Sequence, residues 1–431
     1  QWIFNGDPIQ GATFDSYIPT TPGYYQLEGI IFDCSTVISD NVPVSGCVGD
    51  YDGDGINNNL DLDLDNDGIL NVQESNCNLS YDLSNSNGPN FTSEVFFSES
   101  NTVAEPFVGF SDQTMVLKAS PTVGTISSSA AFQLVFDSAT QFKLEQAPSS
   151  QIIGQMDDTE EYVFSVPFDQ TITIHDPDNQ LLIDVNYDGV YDNNINEFTA
   201  FEIRFKLNSA AILNGEGTFS IQSHNATQFK INYINNSDSN INDVSFQLTQ
   251  ACKFIDSDLD SITDIFDLDS DNDGVYDIIE SSNGSLDIDQ DGRVDDLISN
   301  DTNLDGYHDN AINPIDSDLD LVFDFLDLDS DNDGLYDLFE AGIGFNTLDL
   351  DNNGQIDSGF VDLNNNGASD VSEAIVPIDS DLNGIPDFIQ LDSDADGCFD
   401  VDEAGFEGFQ GILNGTGIDL NGLVIGGNGY N

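Results

Sequence analysis

Aspartate at every second position is the first chemistry this sequence offers. DLDSDNDGVYDIIE at 267–280 returns almost letter for letter as DLDSDNDGLYDLFE at 327–340. On a strand, such alternation would line one face with like charges that repel one another. A loop resolves the conflict. Counted from Asp269, acidic side chains fall at positions 1, 3, 5, 9 and 12, as Asp269, Asp271, Asp273, Asp277 and Glu280. Gly274 stands at position 6, and Val275 at position 7 offers its carbonyl. This is the oxygen set of a seven-coordinate Ca²⁺ loop, with the glycine permitting a sharp turn around the ion. Zinc would call for His or Cys side chains, which occupy none of the side-chain ligand positions.

Thirteen stretches share this register. Immediately upstream run Asp256, Asp258, Asp260, Ile262 (carbonyl), Asp264 and Asp267, with Ser261 replacing the glycine. A second tandem comprises Asp316, Asp318, Asp320, Val322, Asp324 and Asp327, then Asp329, Asp331, Asp333, Leu335, Asp337 and Glu340. A third has Asp379, Asp381, Asn383, Ile385, Asp387 and Gln390, then Asp392, Asp394, Asp396, Cys398, Asp400 and Glu403. The earliest pair is Asp50, Asp52, Asp54, Ile56, Asn58 and Asp61, then Asp63, Asp65, Asp67, Ile69, Asn71 and Glu74. Residues at position 7 contribute only backbone oxygen.

Five loops are less complete or isolated. Asp287, Asp289, Asp291, Arg293 and Asp295 end on Ile298, and Asp301, Asn303, Asp305, Tyr307 and Asp309 end on Ile312. Asp349, Asp351, Asn353, Gln355 and Asp357 end on Phe360, while Asp362, Asn364, Asn366, Ala368 and Asp370 keep Glu373. Asp184, Asn186, Asp188, Val190 and Asp192 stand alone in a different region and lead to Ile195. Loops with an apolar twelfth residue are expected to bind weakly or to borrow an acid from a neighbour.

Composition agrees with a cation requirement. Among 431 residues there are 80 Asp plus Glu against 7 Lys plus Arg, a formal net charge of −73. That balance excludes nucleic acid as an electrostatic partner and argues against an anionic membrane surface. Acid blocks often mark disordered tails, but 39% of residues are hydrophobic and Phe occurs 30 times, so the chain has a core to build. No apolar run is long enough for a transmembrane helix. The opening QWIFNGDPIQ lacks the basic start and apolar run of a signal peptide, as expected of a mature chain or an internal piece of a longer one.

The elements that must position these loops come from elsewhere in the chain. Residues 78–252 alternate apolar and polar in FQLVFD at 132–137, EYVFSV at 161–166, TITIHD at 171–176, FEIRFKL at 201–207, QFKINYI at 228–234 and VSFQLT at 244–249. Short strands between Asn, Ser, Gly and Asp clusters predict an antiparallel β-sandwich, jelly-roll-like in size. Residues 1–49 read as the end of an immunoglobulin-like β-domain closing on a hairpin, GYYQLEGIIFDC then STVISDNVPVSGC. The expected fold is therefore mostly β with irregular calcium-loop repeats. The segments are 1–49, tandem loops at 50–76, a sandwich at 77–253, an array at 254–404, and the start of another module or a linker at 405–431. Cys77 and Cys252 bracket the sandwich and are expected to bridge, Cys34 and Cys47 to close the hairpin, and Cys398 to be left over.

The tandem loops at 50–76 and 254–404 resemble the thrombospondin type 3 repeat family, without that family's regular cysteines. An EF-hand is excluded, because a thirteen-residue step leaves no room for flanking helices. The whole layout is similar to giant repetitive surface adhesins of gliding Bacteroidetes. The resemblance implies export to the cell surface and an elongated adhesin or filament, with surface polysaccharide or other copies of the chain as partners. No GxSxG, HExxH or phosphate-binding glycine loop occurs, and His175, His224 and His308 lack a sequence-visible partner. Glu160 and Glu161 are adjacent on a strand and point to opposite faces, so they cannot form a glycosidase pair. A non-enzymatic structural segment is the first expectation. The alternative is a carbohydrate-binding module and calcium-stiffened linker of a secreted polysaccharide-degrading enzyme.

Overall fold

A computed structural model describes residues 1–403 except 15, 32–34, 47–48, 123–126, 148–154, 210, 214, 237–241, 296, 344–347, 352, 358–360 and 374. Two compact units divide the chain. Residues 1–49, 57–60 and 77–253 form one, and residues 50–56, 61–76 and the chain from Phe254 form the other.

The first unit is antiparallel β throughout its paired strands. Alternating burial in Glu160–Ser165, Glu202–Leu207 and Ser220–Asn235 follows the period-2 pattern of their sequences. Along the larger sheet the strands run Leu181–Ile183, Glu202–Leu207, Glu160–Ser165, Ser220–Asn235, Ser128–Gln146, Asn242–Phe254, Thr114–Ala119 and Phe107–Gly109. The two long strands change partners along their length. Residues 130–136 pair with Phe91–Phe97, whereas residues 140–146 pair with Asn242–Phe254. Likewise Ser220–Asn235 pairs with Ile172–His175 at one end and with Glu160–Ser165 at the other. Such switches, with the register shifts between Val135 and Phe142, turn a sheet back over itself and give sandwich character. The enclosed core is aromatic: Phe132, Phe142, Phe164, Phe205, Phe229, Phe246, Tyr162 and Tyr233 are all buried.

One charge lies inside that core. Glu160 accepts hydrogen bonds from the hydroxyls of Tyr162 and Tyr233 and from the Asp157 N–H, and burial pushes its carboxyl up to about 7. Glu161 faces outward to Lys206 at 3.6 Å, so the two acids do occupy opposite faces.

Residues 1–49 form a smaller sheet within the same unit. Gly23–Ile31 pairs with Trp2–Phe4, Ser35–Ile38 and Val42–Val44, giving the expected hairpin. It joins the sandwich through Tyr24, whose ring meets Phe201 edge-on at 5.1 Å and whose hydroxyl donates to Glu202 at 2.5 Å. Cys77 and Cys252 are disulfide-bonded, with Cα atoms 4.1 Å apart. Cys398 is free and exposed, while Cys34 and Cys47 lie outside the described residues.

The second unit is built of loops with short helical turns. One-turn helices at Asp277–Glu280, Asp337–Glu340 and Asp400–Glu403 occupy positions 9–12 of the second loop in each array tandem. One-turn 3-10 helices at Asp264–Phe266, Asp324–Leu326 and Asp387–Ile389 do the same job in the first. Its apolar interior is thin. One cluster gathers Val275, Leu338, Ile343, Ile356 and Phe388, and another Leu268, Tyr276, Ile278 and Val294. Among the described residues no helix is long and apolar enough to cross a membrane.

Sequence order puts the first tandem before the sandwich and the array after it, yet both belong to this one unit. Asn66 O accepts the Val294 N–H at 2.7 Å, and Leu62 N–H reaches Asp305 O at 2.9 Å. The same two bonds recur one repeat later as Ile356 N–H to Asn272 O and Leu268 N–H to Asn366 O.

The disulfide closes a sequence separation of 175 residues. Chain-entropy reasoning puts such a bridge at up to about 5 kcal/mol, with native removals commonly costing about 2–5 kcal/mol. Cys77→Ser with Cys252→Ser should therefore lower the denaturant midpoint of the β signal by an amount in that range. Non-reducing peptide mapping that joins Cys77 to another cysteine would refute the pairing.

Candidate metal centre

Each loop is shaped by its own aspartates. In the loop from Asp269, the carboxylate of Asp269 accepts the Gly274 N–H, Asp271 accepts from Asp273, and Asp273 accepts from Val275 at 2.7 Å. Asp277 Oδ1 accepts the Ser270 N–H at 2.9 Å, tying position 9 to position 2. That clasp recurs between Ser257 and Asp264, Ser317 and Asp324, Ser330 and Asp337, Ser380 and Asp387, and Ser393 and Asp400. Position 12 of a first loop reaches into its successor: Asp61, Asp267 and Asp327 accept the N–H of Asp63, Asp269 and Asp329.

These bonds use one oxygen of most carboxylates and leave the other facing inward. Buried oxygens without a hydrogen-bond partner include Asp271 Oδ2, Asp273 Oδ2, Asp277 Oδ2 and both oxygens of Glu280. In the loop from Asp63 they include Asp63 Oδ1, both oxygens of Asp65 and Glu74, and Asp67 Oδ2. Asp331, Asp333 and Glu340 repeat the pattern in the loop from Asp329. The first loops leave fewer, at Asp52, Asp54, Asp61, Asp256, Asp258 and Asp318.

Carboxylate oxygens of Asp63, Asp65 and Asp67, and those of Asp269, Asp271 and Asp273, lie within 4.8 Å of one another in each group. A buried carboxylate without a compensating charge is costly. Converging hard oxygens of this kind fit a divalent cation of the calcium type.

Loop completeness and burial together decide where the orphaned oxygens are. The loops from Asp287, Asp301, Asp349 and Asp184, which end on apolar residues, leave no carboxylate oxygen both buried and unpartnered among the described residues. In the loop from Asp184, Asp184 takes the Gly189 N–H and its backbone N–H donates to Arg204 O. The loop from Asp362 has Glu373 bonded to the Asn364 amide, and that from Asp379 has Gln390 bonded to the Asn383 amide. The loops from Asp379 and Asp392 are mostly exposed or half-buried.

The incomplete loops instead serve as packing surfaces. A Cβ on Gly306 would lie 2.0 Å from Asp61 Oδ1, and one on Gly367 would lie 1.6 Å from Asp267 Oδ1. Only glycine admits those carboxylates. Residues 57–60 of the first loop belong to the β unit, where Asn57 donates to Thr173 and Thr199 and Asn59 accepts from the His224 N–H. His224 is thus engaged with Asn59 in the fold, and burial lowers its imidazole to about 4.

A feature absent from the sequence reading is left-handed backbone at position 4. Asn66, Tyr187, Leu259, Asn272, Gln290, Leu304, Leu319, Asn332, Asn365, Leu382 and Ala395 all have positive φ. Asparagine signals this conformation, but leucine does not. Position 6 is left-handed even without glycine: Ser261 has φ 88° and Leu321 φ 87°.

No family model matches the sequence, and no curated protein matches it. Among solved structures, the coconut allergen cocosin aligns at 9% identity and TM-score 0.16, over 33% of this chain and 30% of cocosin. The vicilin of Solanum melongena aligns at 9% identity and TM-score 0.14, over 33% and 31%. A cupin 2 conserved barrel domain protein from Rhodopseudomonas palustris aligns at 11% identity and TM-score 0.12, over 34% and 74%. The chain thus spans under a third of the first two, and similarities this slight carry no argument about function.

Two predictions follow from the loop geometry. Leu321 is 92% exposed, so Leu321→Gly sacrifices no packing and removes a left-handed leucine worth about 1–2 kcal/mol of strain. After the entropy cost of glycine, about 0.5–1 kcal/mol, a net gain of up to about 1 kcal/mol is expected in a denaturant titration. A loss would contradict the turn assignment.

The second concerns pH. Burial raises Asp258 to about 7, Asp61 to about 9 and Asp267 to about 11. The metal-free folded chain therefore binds more protons than the unfolded one, so its stability falls as pH rises above the ordinary carboxylate range and through these values. Acidifying the chelated protein from pH 8 to 5 should increase amide protection in 61–76 and 254–280. Decreased protection would contradict it.

Proposed function

We propose that this chain is a non-enzymatic, calcium-rigidified structural segment of a long cell-surface adhesin or filament, spacing and presenting β-domains outside the cell. The observation that carries the reading is the set of buried, unpartnered carboxylate oxygens in the loops from Asp63, Asp269 and Asp329. A bound cation is the proposed source of neutralisation at neutral pH, because Arg293 is the only Lys or Arg in 50–76 and 254–403. Asp63, Asp65, Asp67 and Glu74 would hold one ion, and Asp269, Asp271, Asp273 and Glu280 another. Bound Ca²⁺ supplies the positive charge that the folded unit lacks.

Extracellular calcium modules bind at about 10⁻⁴–10⁻³ M, and loops of that affinity would be constitutively loaded outside a cell. The thin apolar clusters of the loop unit support a structural role for the ions, since binding free energy then becomes folding free energy. Surface polysaccharide or further copies of the chain are the proposed partners.

Chelation of the whole chain should raise its radius of gyration in small-angle scattering while the β signal persists. Unchanged scattering, with calcium removal confirmed by elemental analysis, would end this reading. Among variants, Asp271→Ala and Asp331→Ala should lower calorimetric calcium affinity more than Asp351→Ala, whose loop lacks an acid at position 12. Equal losses would contradict the ligand assignment.

A further inference from the structure

We propose that the ion of loop 63–74 is shared between two loops, with Asp277 of loop 269–280 as one of its ligands. Calcium would then cross-link the chain segments that precede and follow the β-domain. The inference rests on the calcium reading above and adds a ligand that the loop register assigns to a different site.

Asp67, Glu74 and Asp277 each present a carboxylate oxygen within 4.8 Å of the other two. All three side chains are 0% exposed. Their hydrogen-bonded oxygens face their own loops: Asp67 Oδ1 takes the Ile69 N–H at 2.7 Å, and Asp277 Oδ1 takes the Ser270 N–H at 2.9 Å. Asp67 Oδ2, Asp277 Oδ2 and both oxygens of Glu74 are the buried ones without a partner. One oxygen of Asp277 therefore clasps its own loop while the other is free for a neighbour's ion. Asp63 and Asp65 add negative charge around Asp67, and Arg293 is the cation that acts on it. Three hard carboxylates meeting out of water suit Ca²⁺.

The charge environment recurs along the unit, although the second oxygens of Asp337 and Asp400 accept the Ser330 and Ser393 hydroxyls. Asp273 is the strongest charge acting on Asp337, and Asp337 in turn acts on Asp271 and Glu280. Asp400 acts on Asp331 and Asp333. Position 9 of each complete loop thus addresses the complete loop one period earlier.

Amide exchange of the full chain, followed peptide by peptide across a calcium titration, tests the bridge. Asp277→Asn keeps an oxygen for the Ser270 N–H and replaces the free one. It should raise the calcium midpoint for protection of 61–76 by about tenfold or more, as losses at metal sites commonly do. Asp337→Asn is the control and should leave the 61–76 midpoint in place. A 61–76 midpoint unmoved by Asp277→Asn, with only 264–280 affected, overturns the bridge while leaving calcium binding intact. Absence of calcium-dependent protection in the wild-type chain overturns both. If Asp277→Asn loses its fold, Glu74→Gln decides: a shared ion requires 268–280 to lose protection, and unchanged protection there refutes sharing.

Discussion

Like charge buried without a counter-charge is the constraint on which this structure depends. In the loop unit, Asp63, Asp65, Asp67, Asp269, Asp273 and Asp277 are almost wholly withdrawn from water. Salt bridges do not compensate them, because six of the seven Lys and Arg residues lie between 118 and 253. Their backbone hydrogen bonds satisfy one oxygen of most pairs and set the loop curvature, which aims the second oxygen inward. Each such bond strengthens the fold only if something neutralises what it gathers. Folding of this unit is therefore tied to whatever neutralises these carboxylates.

Seen from that constraint, the β-domain is an insertion into a repeat rather than a module between two arrays. The strong tandems begin at Asp256, Asp316 and Asp379, and an incomplete pair follows each of the first two. The tandem at 50–76 makes the same backbone bonds to the incomplete pair at 287–312 that the tandem at 256–280 makes to the pair at 349–373. It therefore occupies the place of an earlier repeat. Where that repeat would continue with its own incomplete pair, the chain instead runs through the β-domain and returns at Phe254. The Cys77–Cys252 bridge joins the two points at which this departure begins and ends.

What the sequence made legible was local. The acid spacing depends on residues within twelve positions of one another, so the loop register and its glycine turn could be read directly. Alternation in FQLVFD and FEIRFKL likewise marked strands whose buried faces are now seen. Residue type also singled out Cys77 and Cys252, because they bracket the alternating region. The lateral contacts were hidden, since nothing in Asn66 or Val294 alone indicates that their backbones meet. Leu259, Leu319 and Leu382 adopt left-handed backbone that asparagine announces at Asn66 and Asn272. Their conformation is imposed by the loop and has no signature in the leucine side chain.

The incomplete loops show why ligand counting alone misjudges such a chain. Read singly, the loops from Asp301 and Asp362 lack acids that the loop from Asp269 carries. In place, their glycines at position 6 are where Asp61 and Asp267 approach too closely for any side chain. Those two carboxylates are the twelfth residues of first loops and also accept the leading N–H of the second. A loop with fewer acids thus still presents a packing surface, provided the turn that displays it is kept. The turn is kept by Asp301 and Asp362 themselves, whose carboxylates accept the Gly306 and Gly367 N–H groups. The loop from Asp301 keeps its first and sixth positions although its twelfth is Ile312, and the loop from Asp362 keeps them although Asn364 and Asn366 replace acids at the third and fifth.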